Sequence, residues 1–433
     1  MRRRIYRLAL PNIISNITVP LLSMVDVGLA GHLGEMEAIG AVAVASGVVS
    51  LIYWMFAFLR MGTTGFTAQA YGRNDVKSVL VQLCRGLLLA LCLGLLVWLL
   101  REPLSRVGLI LSGKSSRIAS GAQLYMSYIF AGAPAALSLY VLNGWFVGMQ
   151  NTRIPMWVAV TQNVINIALS FYLTSFVSMG VIGLAIGTVV AQYIGVLLLL
   201  LALRLKFPRF LGLIRLRHFV DTNQWASSAG VGLMLMLRTI LLGGISLYFT
   251  YASARLGASV LAANTLLMQL FTLFSYFLDG FAYAGEALGG RYIGERRGDL
   301  FALMLRQLFL IGLLIALVVG LLYFLFPFSL LNLLTDKAEV CREAMRFVPW
   351  VALIPLCSFA AFLWDGVMVG ATASGGMLGA MLLGALVFFM VYLTTMQRLG
   401  GHGLWVAFDL YLLARSLAAW GLSRFSLLTR VRV

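Results

Sequence analysis

The chain has 433 residues, of which 61% are hydrophobic and only 11% are charged, and its formal net charge is +17. A soluble domain carries about 25% charged residues, so this composition excludes an ordinary soluble protein. Lys and Arg lie mainly in short segments between apolar stretches. That distribution fits membrane topology and excludes nucleic-acid binding as the reason for the charge.

Apolar segments long enough to cross a bilayer recur along the whole chain. The first follows Met1–Arg4, but it is longer than the apolar region of a secretion signal and has no small-x-small cleavage site. We therefore interpret it as a membrane helix, and the sequence predicts an all-α integral membrane protein. The twelve predicted transmembrane helices are 7–31, 38–70, 79–100, 119–148, 155–177, 181–203, 225–250, 260–290, 301–328, 341–370, 376–396 and 402–423.

Twelve spans place both termini on one side of the membrane. The predicted inner segments hold more Lys and Arg than the outer ones, and positive residues favour the cytoplasm. We therefore expect both termini to be cytoplasmic. The outer segment 101–118, with four basic residues, fits this topology poorly.

The sequence also indicates an internal duplication. The motif [ND]-G-x-x-V-G occurs at 143–148 and again at 365–370, an offset of 222 residues. A basic segment, 204–224, lies between the two halves and is expected to be a cytoplasmic linker. This predicts two pseudo-symmetric lobes of six helices each, 1–203 and 225–433, which insert with the same topology and enclose a cavity.

One motif is misleading. Gly108–Ser115 satisfies the phosphate-loop pattern G-x4-G-K-[ST], but that chemistry requires a strand, a loop and a helix in a soluble α/β fold. We expect an ordinary loop there and no ATP binding. The three histidines lie far apart and the four cysteines form no C-x-x-C pair, so no metal site, disulfide framework or catalytic centre is predicted.

Asp26 is the most informative charge in the first half. A carboxylate at the bilayer centre costs at least ~2.5 kcal/mol, so such a group usually faces a cavity or a partner. Pro11 and Pro20 precede it on the same predicted helix, and proline bends a helix because it removes a backbone hydrogen bond. We predict a titrating carboxylate on a bendable helix. The alternative is a structural carboxylate satisfied by neighbouring Asn or Ser groups.

The second half carries a different set of charges. Asp279, Tyr283 and Glu286 recur at i, i+4 and i+7 and therefore share one helix face. Arg238, on the preceding predicted helix, is their expected partner. The stripe fits either a cavity lining or a structural ion-pair network, and Asp365 fits either role equally.

Two further charges lie in the last predicted helix. Asp409 is near the end of that helix and is expected to have a structural role. Arg415 is expected either to pair with an acid or to extend its charged end toward the membrane surface.

Polar residues also mark one face of the predicted helix 155–177, namely Asn163, Asn166 and Ser170. Side chains of this kind often bond between membrane helices. Taken alone, this row is more typical of packing than of transport.

Several of these segments, taken together and in order, resemble the DinF-like branch of the multidrug and toxic compound extrusion (MATE) family. They are Leu8–Pro11, Ser15–Pro20 with Val25-Asp26, Phe58–Ala70, Leu278–Ala287 and Asp365–Thr372. The resemblance covers essentially the whole chain. It implies an antiporter that exports organic, often cationic compounds, driven by inward H+ or Na+.

The resemblance also assigns residues. It implies that Asp26 is the coupling carboxylate of the N-terminal lobe, that Pro11 is at the bend of the first helix, and that Asn163 and Asn166 line the same site. Ser170 stands where the family commonly has Asp, which disfavours a two-acid sodium site.

In the second half, Arg238 falls near a position where many relatives have Glu. A cation site of the Glu–Asp type in the C-terminal lobe is therefore disfavoured, although Asp365 matches the family's acid on the corresponding helix.

The leading hypothesis is an H+-coupled drug or metabolite antiporter, with Na+ as the less favoured ion, which works by alternating access of the two lobes. The alternative is a lipid-linked saccharide flippase of the same superfamily. We expect a monomer in the bacterial cytoplasmic membrane, surrounded by lipid, with a small-molecule substrate. No nucleic acid and no cofactor other than the coupling ion are expected.

Overall fold

A computed structural model of the protein describes residues 1–31, 36–112, 116–208 and 225–431. All regular structure in these ranges is helical, and a 3-10 turn at Phe130–Gly132 joins two of the helices. In chain order, the helices are α1 Arg2–Gly31, α2 Met36–Met55, α3 Phe58–Gly72, α4 Val76–Leu99, α5 Arg101–Ser112, α6 Ser116–Ile129, α7 Ala133–Gly148, α8 Arg153–Ser175, α9 Gly180–Lys206, α10 Trp225–Arg255, α11 Ala258–Gly294, α12 Gly298–Leu325, α13 Pro327–Leu334, α14 Ala338–Met345, α15 Val348–Gly370, α16 Ser374–Leu399 and α17 Gly401–Val431.

The prediction of an all-α fold with twelve membrane helices is confirmed. In the described ranges, ten helical segments are long and apolar enough to cross a membrane, and the pairs α2–α3 and α6–α7 each form one of these. Helices α1 and α17, of 30 and 31 residues, complete the twelve. Leu314, Leu317 and Leu321 on α12 are exposed, as expected for side chains that face lipid.

Four of the predicted helices are interrupted, one of them, 301–328, near its end at Phe326. A turn at Phe56–Ala57 separates α2 from α3, the 3-10 turn separates α6 from α7, and a turn at 346–347 separates α14 from α15. Pro134 and Pro349 lie in the first turns of α7 and α15. Proline is accommodated there because the first N–H groups of a helix have no intrahelical partner. At 56–57 the apolar pattern continues through the break and does not reveal it.

The loop predicted at 101–118 is wrong for its first part, because residues 101–112 form α5. Leu104 and Leu109 pack against a buried cluster that includes Val42 and Met126, so hydrophobic burial stabilises this helix. Gly108–Ser112 is thus helical rather than a loop after a strand. The last three residues of the motif lie outside the described ranges, so the absence of ATP binding stays a prediction.

The chain clusters into two compact units. The first unit is residues 14–229, and the second unit is residues 1–13 together with 230–433. Helix α1 therefore contributes its start to the second unit and its remainder to the first. The boundaries predicted from sequence, which place all of 1–203 in one lobe, stay a prediction.

Contacts of the chain start explain this division. Arg2 Nε donates a hydrogen bond to Gln307 Oε1 at 2.6 Å, and Arg4 Nη1 donates one to Tyr292 OH at 3.2 Å. Both acceptors belong to the second unit. The first thirteen residues are thus held by side chains that follow them by about 290 or more positions.

In the first unit, the repeated glycines let α7 approach α3 closely. A methyl group at Gly144 would lie 3.2 Å from the carbonyl carbon of Arg60, and one at Gly148 would lie 2.9 Å from the carbonyl oxygen of Thr64. Contacts this short require glycine, because a side chain would collide with backbone that cannot rotate away.

The second unit repeats this packing between α15 and α11. A methyl group at Gly366 would lie 2.7 Å from the carbonyl carbon of Ala282, and one at Gly370 would lie 3.1 Å from that of Glu286. Each of these four residues follows its counterpart in the first unit by 222 positions, the offset of the sequence motif. The duplication is therefore visible in helix packing as well as in sequence.

Candidate functional site

In the first unit, two of the three predicted polar residues on α8 are deeply buried. Asn166 is 2% exposed, and its Nδ2 donates a hydrogen bond to Thr188 Oγ1 on α9 at 2.9 Å. Ser170 is fully buried and lies against Gly187, where an added Cβ would meet it. Asn163 is half-buried. The row thus lies along the contact between α8 and α9.

Several side-chain oxygens in this row and on the facing helix α9 have no hydrogen-bond partner in the described part of the chain. They are Asn166 Oδ1, Ser170 Oγ and, on α9, Gln192 Oε1. A buried acceptor without a partner costs about 1–3 kcal/mol. Packing alone therefore does not explain this row. It offers uncharged acceptors to any donor that reaches it. Sequence analysis missed Gln192 and Thr188, although their polarity within the apolar helix α9 was a usable signal.

Helix α1 carries Asp26 and both predicted prolines. It runs without interruption from Arg2 to Gly31 through Pro11 and Pro20. Pro11 is buried, and the boundary between the two units follows soon after it, between Ile13 and Ile14. The side chains of Asp26 and Pro20 lie outside the described part of the structure, so the roles of Asp26 and of the bend remain predictions.

In the second unit, three charged side chains from three helices meet. Nη2 of Arg238 (α10) and Nη2 of Arg415 (α17) both donate to Oδ2 of Asp365 (α15). The side chains of Arg238, Asp365 and Arg415 are 7%, 15% and 3% exposed. We call these residues the Arg-Asp-Arg cluster.

Aromatic groups surround Arg415. Its Nη1 donates to the Tyr411 hydroxyl at 3.5 Å, and its guanidinium lies 5.9 Å from the ring centre of Phe362. A cation near a ring face is attracted by the ring quadrupole. Arg415 is therefore held in the interior by a carboxylate, a hydroxyl and a ring, and it is paired rather than extended to the membrane surface.

The predicted pairing of Arg238 with Asp279 or Glu286 is wrong, because Arg238 bonds to Asp365 instead. Glu286 is 1% exposed, and its backbone lies against Gly370 of α15. Asp279 and Tyr283 are half-buried on the same helix, α11. These acids thus form a stripe separate from the cluster, and their roles stay predictions.

Other groups bear on what the fold can bind. Asp409 is 5% exposed, and neither of its carboxylate oxygens has a hydrogen-bond partner in the described ranges. The four cysteines are free thiols, of which Cys92 is exposed on α4. Among the described residues, no group of three or more His, Cys, Asp or Glu side chains could hold a metal ion.

Twelve apolar helices in a duplicated arrangement, with polar and charged groups buried inside each unit, define a multi-pass membrane protein. The sequence model of the MatE family matches residues 11–172 and 235–394, one segment in each half of the chain. The chain belongs to the MatE family.

Relatives agree with this assignment, and a solved structure shares the fold. DNA damage-inducible protein F of Escherichia coli is 36% identical over 424 residues, which are 96% of this chain and 90% of that protein. The probable multidrug resistance protein NorM of Thermotoga maritima is 25% identical over 397 residues, 87% of this chain and 80% of that protein. The structure of the Vibrio cholerae MATE transporter VcmN in the bent form has a TM-score of 0.86 at 18% identity and covers 99% of this chain and 97% of that one.

Proposed function

We propose that the protein is a secondary active antiporter of the bacterial cytoplasmic membrane that exports organic compounds in exchange for inward H+. The substrates are cationic or amphipathic small molecules, and both termini are cytoplasmic. Membership of the MatE family supports export as the activity, as does similarity to the probable multidrug resistance protein NorM of Thermotoga maritima.

The observation that carries the choice of ion is the uncharged polar row between α8 and α9. Asn166 Oδ1 and Ser170 Oγ are buried acceptors without a partner in the described part of the unit. Asp26 is the one acid in the predicted transmembrane helices of the first half. A single carboxylate binds and releases H+ without further ligands, whereas Na+ needs several oxygens and a compensating charge. A single acid in this half, with Ser170 rather than a second acid on α8, therefore supports the proton.

The proposed cycle follows from this chemistry. A proton from outside neutralises Asp26, which removes the cost of a charge in the membrane interior. The neutral carboxyl group can then donate a hydrogen bond to an uncharged acceptor. The bend of α1 near Pro11 and Pro20 changes with that bond, and substrate leaves outward. The lobes, joined by the linker 204–224, then return to the inward-open state, and Asp26 releases its proton to the cytoplasm.

Transport by purified protein in proteoliposomes tests the proposal. Ethidium, a fluorescent organic cation, serves as probe, and H+ and Na+ gradients are imposed separately on wild type, Asp26→Asn and Asp75→Asn. Asp75 is the matched control, because it caps α4 outside the membrane spans and asparagine also caps helices. We expect the H+ gradient to drive ethidium export by wild type and Asp75→Asn but not by Asp26→Asn.

Two results would contradict the proposal. If Asp26→Asn transports at the wild-type rate with the same pH response, Asp26 is not the coupling group. If only the Na+ gradient drives wild-type export, the ion is Na+.

A further inference from the structure

The Arg-Asp-Arg cluster has more positive charge than its carboxylate can neutralise. Asp365 supplies one negative charge, and Arg238 and Arg415 each supply one positive charge, since arginine stays protonated in proteins. In the described ranges, neither arginine forms a salt bridge with any other acid. A buried unpaired charge costs several kcal/mol, so a second anion in this place would stabilise the unit.

Donor groups in the cluster also remain unused. A guanidinium presents a planar fork of N–H groups that suits carboxylate and phosphate oxygens. Only Nη2 of Arg238 finds an acceptor, while its Nε is buried and has no partner among the described residues. Asp365 is bonded through Oδ2 alone and keeps 15% of its side chain exposed. The guanidinium of Arg238 thus has unused donor groups, and the Asp365 side chain beside it is partly exposed.

The surroundings favour an anion attached to an apolar body. Phe362 lies beneath Arg415, and the rings of Phe271 and Phe274 lie 6.2 and 6.4 Å from that of Phe362. Asp409, a buried acid on α17, bonds to neither arginine. A small inorganic anion would use the arginines but not the rings, whereas an amphipathic anion would use both.

We propose that the Arg-Asp-Arg cluster is a binding site for the anionic group of an amphipathic molecule, a carboxylate or phosphate on an apolar body. The ligand's oxygens bond to the free N–H groups of Arg238 and compete with Asp365 for the guanidinium pair. The site would restrict the amphipathic substrates of the proposed antiporter to anions of this kind. Binding at the site does not depend on the proposed function, but transport of the bound ligand does. Two sources share this chemistry, a transported solute and an anionic lipid headgroup.

Equilibrium binding tests the site without any ion gradient. Protein is placed in phosphatidylcholine nanodiscs and titrated with dansylundecanoate or with its methyl ester, which has the same apolar body but no charge. We expect the carboxylate to bind and the ester to bind at least tenfold more weakly, since a hydrogen bond to a charged group is worth about tenfold or more in affinity. Equal binding of the two probes would overturn the proposal.

Variants assign the binding to the cluster. Arg238→Gln should weaken dansylundecanoate binding by about tenfold or more. Arg297→Gln should have no effect, because Arg297 forms an exposed pair with Asp299 outside the spans. Asp365→Asn should bind about tenfold more tightly than wild type, because the internal competitor loses its charge. If the ion pairs are merely structural, Asp365→Asn should bind dansylundecanoate no more tightly than wild type, and that result would overturn the proposal.

Folding and ligand source are separated by further measurements. Every variant is first checked for a monodisperse elution profile in size-exclusion chromatography. If Arg238→Gln does not fold, Arg238→Lys replaces it. That variant keeps the charge but loses the planar fork, and it should bind dansylundecanoate with an affinity between those expected for wild type and Arg238→Gln. Phosphatidylglycerol in the discs should leave dansylundecanoate binding unchanged. Competition by that lipid would keep the site but assign it to a lipid headgroup. Failure of binding leaves the Asp26 transport experiment unaffected, and the reverse holds too.

Discussion

Gly366→Ala is the sharpest test of the helix packing in the second unit. An added methyl group would lie 2.7 Å from the carbonyl carbon of Ala282, whereas nonbonded carbons prefer about 3.5–4.0 Å. The obstacle is backbone and cannot rotate away, so α15 must move from α11 by roughly 1 Å. Overpacking of this kind costs about 1–3 kcal/mol, and a rigid backbone places the cost near the upper value.

A second effect of the substitution acts in the opposite direction. Alanine favours a helix over glycine by about 1 kcal/mol. The expected net loss of unfolding free energy is therefore about 2 kcal/mol. Gly244→Ala, on α10, is the matched control, because no atom lies within 4 Å of its added methyl group. That variant should be as stable as wild type or more stable by up to ~1 kcal/mol.

The free energy of unfolding is measured by titration with sodium dodecyl sulfate in mixed micelles, with the thermal midpoint in detergent as a second reading. The two variants should differ in sign. If Gly366→Ala and Gly244→Ala are equally stable, α15 does not approach α11 as described, and the packing argument for the duplication fails.

Two further predictions concern charged residues. Asp365→Leu should lower the unfolding free energy by about 3–5 kcal/mol, because two buried guanidinium groups lose their shared carboxylate. A thermal midpoint equal to that of wild type would show that the cluster does not form. Asp75→Ala should cost about 1 kcal/mol, because the Asp75 carboxylate caps α4 through the Ser78 backbone N–H at 3.0 Å. Hydrogen bonds from Ser78 lower the pKa of Asp75, so the capping contribution is complete above the unfolded-state pKa of ~3.9 and is lost as the pH falls through the lower folded-state pKa. The stability difference between wild type and Asp75→Ala, measured across pH, should therefore shrink on strong acidification, and a growing difference would contradict this assignment.

Much of the fold could be predicted because bilayer insertion depends on local composition. Every predicted span corresponds to one helix or to two consecutive helices, since about 20 apolar residues in a row identify a membrane segment without knowledge of its neighbours. The break at 56–57 could not be predicted in this way, because the apolar pattern continues through it. The break at 346–347 had a usable signal, since Arg342, Glu343 and Arg346 interrupt the apolar pattern there. Helix α5 was also missed, since its stability comes from contacts with α2 and α6 rather than from its own sequence.

The candidate sites show the same division. Buried polar groups on α8 could be predicted from their spacing on one helix face, and Asn166 and Ser170 are indeed buried. The partner of Arg238 could not be predicted, because the next helix in the sequence carries Asp279 and Glu286 and suggested one of them as the partner. The contact with Asp365 depends on how α10, α15 and α17 are rotated against one another, which no single segment encodes.

The sequence by itself therefore determined the solvent, the number of spans and the 222-residue repeat, because hydrophobicity and duplication can be read along the chain. Only the tertiary structure decided that Gly366 lies against Ala282 and that two arginines share Asp365. The physical reason is that lipid recognises a helix by its average surface, whereas a neighbouring helix recognises individual side chains at one rotation and one depth.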